Sequence, residues 1–122
     1  MKQILIIDDE ASIRKMLKKL FEKNGYAVID AQDGSQGVKL FKEHEPDLII
    51  TDLIMPEKEG LETISEIKKI NPDTKIIAMS GGGVVEPEMY LDLAKNFGAQ
   101  YSFNKPIDNE ALLAAVKHLM SN

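Results

Sequence analysis

Short runs of apolar residues, separated by longer amphipathic stretches, constrain this chain more than any other feature. Ile4-Leu5-Ile6-Ile7, Leu48-Ile49-Ile50 and Ile76-Ile77-Ala78-Met79 are continuous runs, and Ala27-Val28-Ile29 and Tyr101-Ser102-Phe103 are shorter candidates. A strand that is apolar on both faces belongs inside a parallel sheet covered on both sides. The stretches between them carry single apolar stripes at spacings of three and four: Ile13, Met16, Leu17, Leu20 and Phe21; Leu61, Ile64 and Ile67; Tyr90, Leu93, Ala94 and Phe97; Leu112, Val116 and Leu119. Such stripes predict helices that lie against a sheet. The segment 35–43 is a weaker case, with Val38, Leu40 and Phe41. Asn24-Gly25 and Phe97-Gly98 read as helix C-terminal caps, and Asn71-Pro72 closes the third helix. Strand then helix, five times over, implies a doubly wound α/β fold with right-handed crossovers.

The chain length of 122 residues suits one domain, 1–122, without a linker, repeat or low-complexity segment. There is no cysteine, so disulfides and thiolate metal sites are excluded. No apolar run approaches the ~20 residues of a membrane span, and Met1-Lys2-Gln3 leads directly into a strand pattern rather than a cleavable leader. The expected location is cytoplasmic. A net charge of −5 argues against direct nucleic-acid binding, which needs clustered Lys and Arg. Lys15, Lys18, Lys19 and Lys23 fall at helical spacing and read as a solvated helix face.

The acids sit at strand ends. Asp8 and Asp9 close the first strand and Asp52 closes the third. In open α/β sheets ligands bind beyond the carboxyl ends of the strands, where strand order reverses. In the five-stranded order 2-1-3-4-5, common among doubly wound sheets, that reversal lies between strands 1 and 3, so the three carboxylates share one crevice. Two like charges ~4 Å apart repel by about 1 kcal/mol in water and about 4 kcal/mol at an effective dielectric of 20, which calls for a cation. All-oxygen ligands without His or Cys select a hard ion, Mg²⁺ or Mn²⁺, with positions left open for phosphate oxygens. Ser80 follows the fourth strand and Lys105 the fifth, so a hydroxyl and an ammonium can reach the oxygens of a phosphorylated Asp52.

Each residue also has an ordinary reading. Asp9 would cap a helix starting near Ala11, Asp52 would solubilise a strand end, Ser80 would sit in a turn, and Lys105 would be a surface lysine. Those readings do not account for acid pair, acid, hydroxyl and lysine appearing in that order at four strand ends.

In this combination the chain resembles the receiver domains of response regulators over essentially its whole length. The matching residues are Asp8-Asp9, Asp52 within Leu48-Ile49-Ile50-Thr51-Asp52-Leu53-Ile54-Met55-Pro56, Gly60, Ser80 and Lys105-Pro106. The resemblance implies that Asp52 is the phosphoacceptor. It implies direct Mg²⁺ ligation by Asp9, Asp52 and the backbone carbonyl of Ile54, with Asp8 acting through a water. It also implies a switch through Ser80 and Lys105, a cis bond before Pro106, and a phosphohistidine donor on a sensor histidine kinase or phosphotransfer protein. The implied output surface is the fourth helix, fifth strand and fifth helix.

Three positions depart from the family pattern. Many receivers carry an aromatic residue three positions before the lysine; here it is Ser102, flanked by Tyr101 and Phe103. The Ser80–Lys105 segment is longer than the family pattern by a few residues, with Gly81-Gly82-Gly83 as the insertion. Ile54 and Gly82, two residues beyond Asp52 and Ser80, have no polar side chain to orient an attacking water, so hydrolysis of the phospho-Asp is expected to be slow. Signal output is then expected to run through the segment after Ser80. An Asp-nucleophile phosphohydrolase would need a second acid at Ile54 as proton donor. A flavin carrier would need a hydroxyl- and glycine-rich loop where Asp8-Asp9-Glu10-Ala11 stands. A receiver acting purely as a binding module would have lost an acid or the lysine, and all are present.

Overall fold

In the computed structural model, residues 1–53, 60–80, 92 and 95–121 are described. The strands are β1 (Gln3–Ile7), β2 (Ala27–Ala31), β3 (Leu48–Asp52), β4 (Lys75–Ser80) and β5 (Tyr101–Asn104). They form one parallel sheet in the order β2-β1-β3-β4-β5. The doubly wound α/β architecture is the one expected from the alternating pattern, and the strand order is the 2-1-3-4-5 order expected of such a sheet. Three helices, α1 (Ala11–Lys23), α2 (Gly34–His44) and α3 (Gly60–Ile70), follow β1, β2 and β3 in turn, and a C-terminal helix (Asn109–Met120) follows β5. Helical residues at 92 and 95–97 precede β5. Most of the stripe expected for a helix there, and the Gly81-Gly82-Gly83 loop, lie outside the described residues.

The side-chain period of two sorts each strand between two cores. Leu5, Ile7, Ile49, Ile76 and Ala78 face one side, with Val38 and Phe41 of α2 and Ile64 and Ile67 of α3. Ile4, Ile6, Leu48, Ile50, Ile77 and Met79 face the other, with Leu17 and Phe21 of α1 and Leu112 and Val116 of the C-terminal helix. Burial on both faces explains why the β1, β3 and β4 runs do not alternate with polar residues. Lys15, Lys18, Lys19 and Lys23 are exposed on the outer side of α1.

Helix ends follow local chemistry. Asp33 caps α2 by accepting the Gln36 N–H at 2.8 Å, and Asp108 caps the C-terminal helix by accepting from Glu110 and Ala111. The α1 N-cap is Glu10, whose side chain makes no capping bond, so the capping reading of Asp9 is not what the fold uses. Gly25 and Gly98 supply the positive φ after their helices. At the far end of the sheet, Lys2 and Lys75 donate to the Met120 and Leu119 carbonyls and so satisfy the end of the last helix.

Candidate functional site

The parallel register brings the acids together. Ile7 pairs with Thr51, so one residue further along Asp8 stands beside Asp52 at the junction of β1 and β3. On the other side of β3, Asp52 pairs with Met79, and Ser80 pairs with Asn104 of β5. The ladder runs on past the strand ends: Leu53 donates to the Met79 carbonyl at 2.9 Å and Lys105 to the Ser80 carbonyl at 2.7 Å. Four neighbouring strand ends therefore present Asp8-Asp9, Asp52, Ser80 and Lys105 on one edge of the sheet. The Lys105–Pro106 peptide is cis.

One carboxylate oxygen from each of Asp8, Asp9 and Asp52 lies within 4.8 Å of the others. Mg²⁺ binds oxygens at about 2.0–2.1 Å in an octahedron, so oxygens on opposite sides of one ion stand about 4.2 Å apart. The observed spread fits an ion held directly by some of these acids and through water by another. Asp8 and Asp52 are buried while Asp9 is exposed, so the cluster opens to solvent on the Asp9 side.

Lys105 is the cation within this acidic cluster. Its Nζ donates to Asp8 Oδ2 at 2.9 Å and Asp52 Oδ2 at 3.2 Å, and reaches Glu10 Oε1 at 3.5 Å. Burial alone would lower the lysine's pKa; the Asp8 hydrogen bond and the Asp52 and Asp8 charges outweigh it and hold the pKa well above the ordinary value. The opposite balance holds at Asp8. Burial raises its carboxyl above the usual range, and the Glu10 N–H, at 2.8 Å from Oδ1, and Lys105 only partly offset that.

Ser80 is the orphan of the site. It is buried, and among the described residues its hydroxyl has no hydrogen-bond partner. A buried hydroxyl without a partner carries a penalty of roughly 1–3 kcal/mol that a newly arrived acceptor would remove. Ser102 sits half-buried on β5 between Tyr101 and Phe103, whose rings stack at 6.5 Å and pack toward the C-terminal helix. Ile54 and Gly82 lie outside the described residues.

Sequence reasoning passed over two supporting residues. Glu10 adds a third carboxylate to the reach of Lys105. Arg14, on α1, donates from Nη1 to the Asp8 carbonyl at 2.8 Å and from Nε to Asp30 Oδ2 at 3.0 Å. A signal for Arg14 was present: it is the one arginine among the 15 Lys and Arg residues, and arginine is the residue whose planar fork serves two acceptors at once. Gly60 likewise has a positional reason, because α3 starts directly against the backbone of Asp52 and Leu53.

Comparisons with known proteins agree with this geometry. The chain is 38% identical over 120 residues to the chemotaxis protein CheY of Bacillus subtilis (strain 168), covering 98% of each. A response regulator receiver domain protein from Clostridium thermocellum superposes with a TM-score of 0.91 at 32% identity, covering 99% of this chain and 95% of that one. The response regulator TrrA of Thermotoga maritima, solved in complex with Mg²⁺–BeF, superposes with a TM-score of 0.86 at 34% identity, covering 98% and 100%. Residues 4–117 match the response regulator receiver domain family, so the strand-end acids, hydroxyl and lysine stand within a CheY-like chain that belongs to that family, a signalling fold of two-component systems.

Proposed function

We propose that this chain is a phosphorylation-driven switch in which Asp52 accepts a phosphoryl group in a Mg²⁺-dependent reaction. The observation that carries the reading is the convergence of the Asp8, Asp9 and Asp52 oxygens within 4.8 Å, with the Lys105 ammonium 3.2 Å from Asp52. Asp9 and Asp52 would hold the ion directly, Asp8 through water and the Ile54 backbone carbonyl as a further ligand; the relative solved with Mg²⁺–BeF supports that choice of metal. Bound there, Mg²⁺ supplies positive charge against the oxygens of the transferred group.

The chain's own residues do the rest. Asp52 Oδ attacks the phosphorus of a phosphohistidine whose other ring nitrogen is protonated, the P–O bond forms as the P–N bond breaks, and neutral imidazole leaves with the electron pair. Lys105, held protonated, turns from its carboxylate partners to an oxygen of the phosphoryl group. The Ser80 hydroxyl donates to another and loses its orphan status. The new dianion thereby favours one of two pre-existing arrangements of the 80–105 segment, and partner binding changes with it. The donor is a sensor histidine kinase or a histidine phosphotransfer protein. The surface read by the target combines the segment before β5, β5 and the C-terminal helix. The chain acts on itself rather than turning over a separate substrate; residues 1–122 form one receiver domain, which works in the cytoplasm.

The test is intact-mass measurement after incubation with acetyl phosphate, with and without Mg²⁺, using Asp52→Asn as control. A gain of one phosphoryl group that needs both Mg²⁺ and Asp52 supports the reading. Failure with acetyl phosphate and with phosphorylated kinase alike would refute it and leave a binding module with an acidic pocket.

A further inference from the structure

Around the acidic pocket, one contact is not explained by phosphoryl chemistry. Arg14 touches none of the three clustered carboxylates. Its guanidinium bridges the Asp30 carboxylate on β2 and the backbone carbonyl of Asp8, at the turn between β1 and α1. The guanidinium is mostly buried, with 18% of the side chain exposed, and Asp30 is 37% exposed. The Asp8 N–H continues the β1–β2 ladder to the Ala31 carbonyl at 3.1 Å. The Asp8 carboxylate is occupied by the Glu10 N–H and Lys105. Arg14 thus completes a set in which all the hydrogen-bonding groups of Asp8, backbone and side chain, are held. The Asp8 carbonyl belongs to the peptide that carries Asp9, so fixing it fixes the direction in which the exposed Asp9 side chain leaves the turn.

We propose that the Arg14–Asp30 pair is a positioning device for the divalent-cation site: Asp30 orients the guanidinium, the guanidinium holds the Asp8–Asp9 peptide, and Asp9 is kept facing Asp52. The inference rests on the Mg²⁺-binding reading above. Its physics separates it from a simple charge effect. Arg14 brings a positive charge near a cation site, so by Coulomb's law alone its removal would tighten Mg²⁺ binding. Positioning requires the reverse. Lysine in its place keeps the charge but has a single nitrogen where the arginine uses two, Nε and Nη1.

The experiment titrates Mg²⁺ into the full chain by calorimetry, for the unaltered protein and for Arg14→Lys, Arg14→Met and Asp30→Asn, with melting temperatures recorded for each. Loss of an outer-shell partner typically weakens a metal site by at least about 10-fold, and that is the change expected for both Arg14 variants. Asp30→Asn should weaken binding in the same direction and by less, because the guanidinium keeps its bond to the Asp8 carbonyl. In acetyl phosphate reactions the Mg²⁺ concentration for half-maximal rate should rise with the dissociation constant, while the rate at saturating Mg²⁺ stays near that of the unaltered chain. Tighter binding in Arg14→Met, native binding in Arg14→Lys, or a lower melting temperature with unchanged affinity would each overturn the proposal. Should Arg14→Met not fold, Arg14→Lys carries the same decision, because it keeps the charge and loses the fork. No Mg²⁺ response in the unaltered chain would remove the metal reading and this inference with it; a native response unaffected by the substitutions would remove this inference alone.

Discussion

Substituting Gly60 by alanine tests how tightly α3 is built against the phosphoacceptor strand. A Cβ placed on Gly60 would fall inside the contact distance of the Asp52 carbonyl oxygen, 2.5 Å from the Leu53 Cα and 2.9 Å from the Asp52 carbonyl carbon. All three are backbone atoms, so no side chain can rotate away, and helix and strand must separate by something near an ångström. Forcing a methyl into a packed site costs about 1–3 kcal/mol. The separation also strains the bond from the Gly60 N–H to the Leu53 carbonyl, now 2.9 Å, a further loss of about 1 kcal/mol. Alanine's better helix propensity returns at most about 1 kcal/mol. The net loss is about 1–3 kcal/mol, equivalent to a fall in melting temperature of roughly 4–12 °C for a domain of this size. Thermal unfolding followed by far-ultraviolet circular dichroism is the suitable assay, since the chain has three Tyr and no Trp. The same displacement moves the backbone that carries Asp52. A misplacement of about 1 Å can cost about 100-fold in rate, so phosphorylation from acetyl phosphate should fall well beyond the stability effect. A variant that melts within about 2 °C of the parent and phosphorylates normally would refute the close-approach argument, since that shift lies below the roughly 4–12 °C expected.

Other positions give independent tests. The Asp8 carboxyl, raised from 3.8 by burial, favours folding when protonated; that contribution is present below about pH 4 and is lost as pH rises through the folded value. In Mg²⁺-free buffer Asp8→Asn should therefore raise the melting temperature at pH 7, with the gain shrinking toward pH 4; a constant gain or a loss would contradict the burial argument. Lys105, with its pKa raised, contributes stability that is present below its ordinary 10.5 and lost only as pH rises beyond that, so it should add no pH dependence between pH 5 and 9. Asp108→Ala removes the acceptor for the Glu110 and Ala111 N–H groups and should cost about 1 kcal/mol in denaturant unfolding; no change in midpoint would show the cap to be idle. Glu45 ends α2 with φ of 47°, where an L-residue carries a strain of about 1–2 kcal/mol. Glu45→Gly relieves it against an unfolded-state entropy penalty of about 0.4–1 kcal/mol and should stabilise by roughly 0.5 kcal/mol, and a lower melting temperature would sink the reasoning.

Much of the fold was legible because it depends on local periodicity. The apolar runs at 4–7, 48–50 and 76–79 lie within β1, β3 and β4, and the stripes through Ile13–Phe21 and Leu112–Leu119 within α1 and the C-terminal helix. The weaker candidates needed the sheet to define them: β2 extends to Ala31, and β5 keeps only half-buried residues and an exposed Asn104. The ends were less legible than the middles. Asp9 had the right identity for a helix cap, yet the chain enters α1 through Glu10 without a side-chain bond.

The sequence by itself determined which residues stand at the carboxyl ends of the strands, because a run of apolar residues stops where burial stops, and there it placed Asp8, Asp9, Asp52, Ser80 and Lys105. Only the tertiary structure decided their pairings. Lys105 bridges Asp8 and Asp52 from 97 and 53 residues away, Arg14 divides its fork between Asp30 and the Asp8 carbonyl, and Gly60 is held against the backbone of β3. Side-chain period is set by neighbours along the chain, whereas these contacts depend on the parallel register and on how closely helix meets strand, which no local pattern encodes.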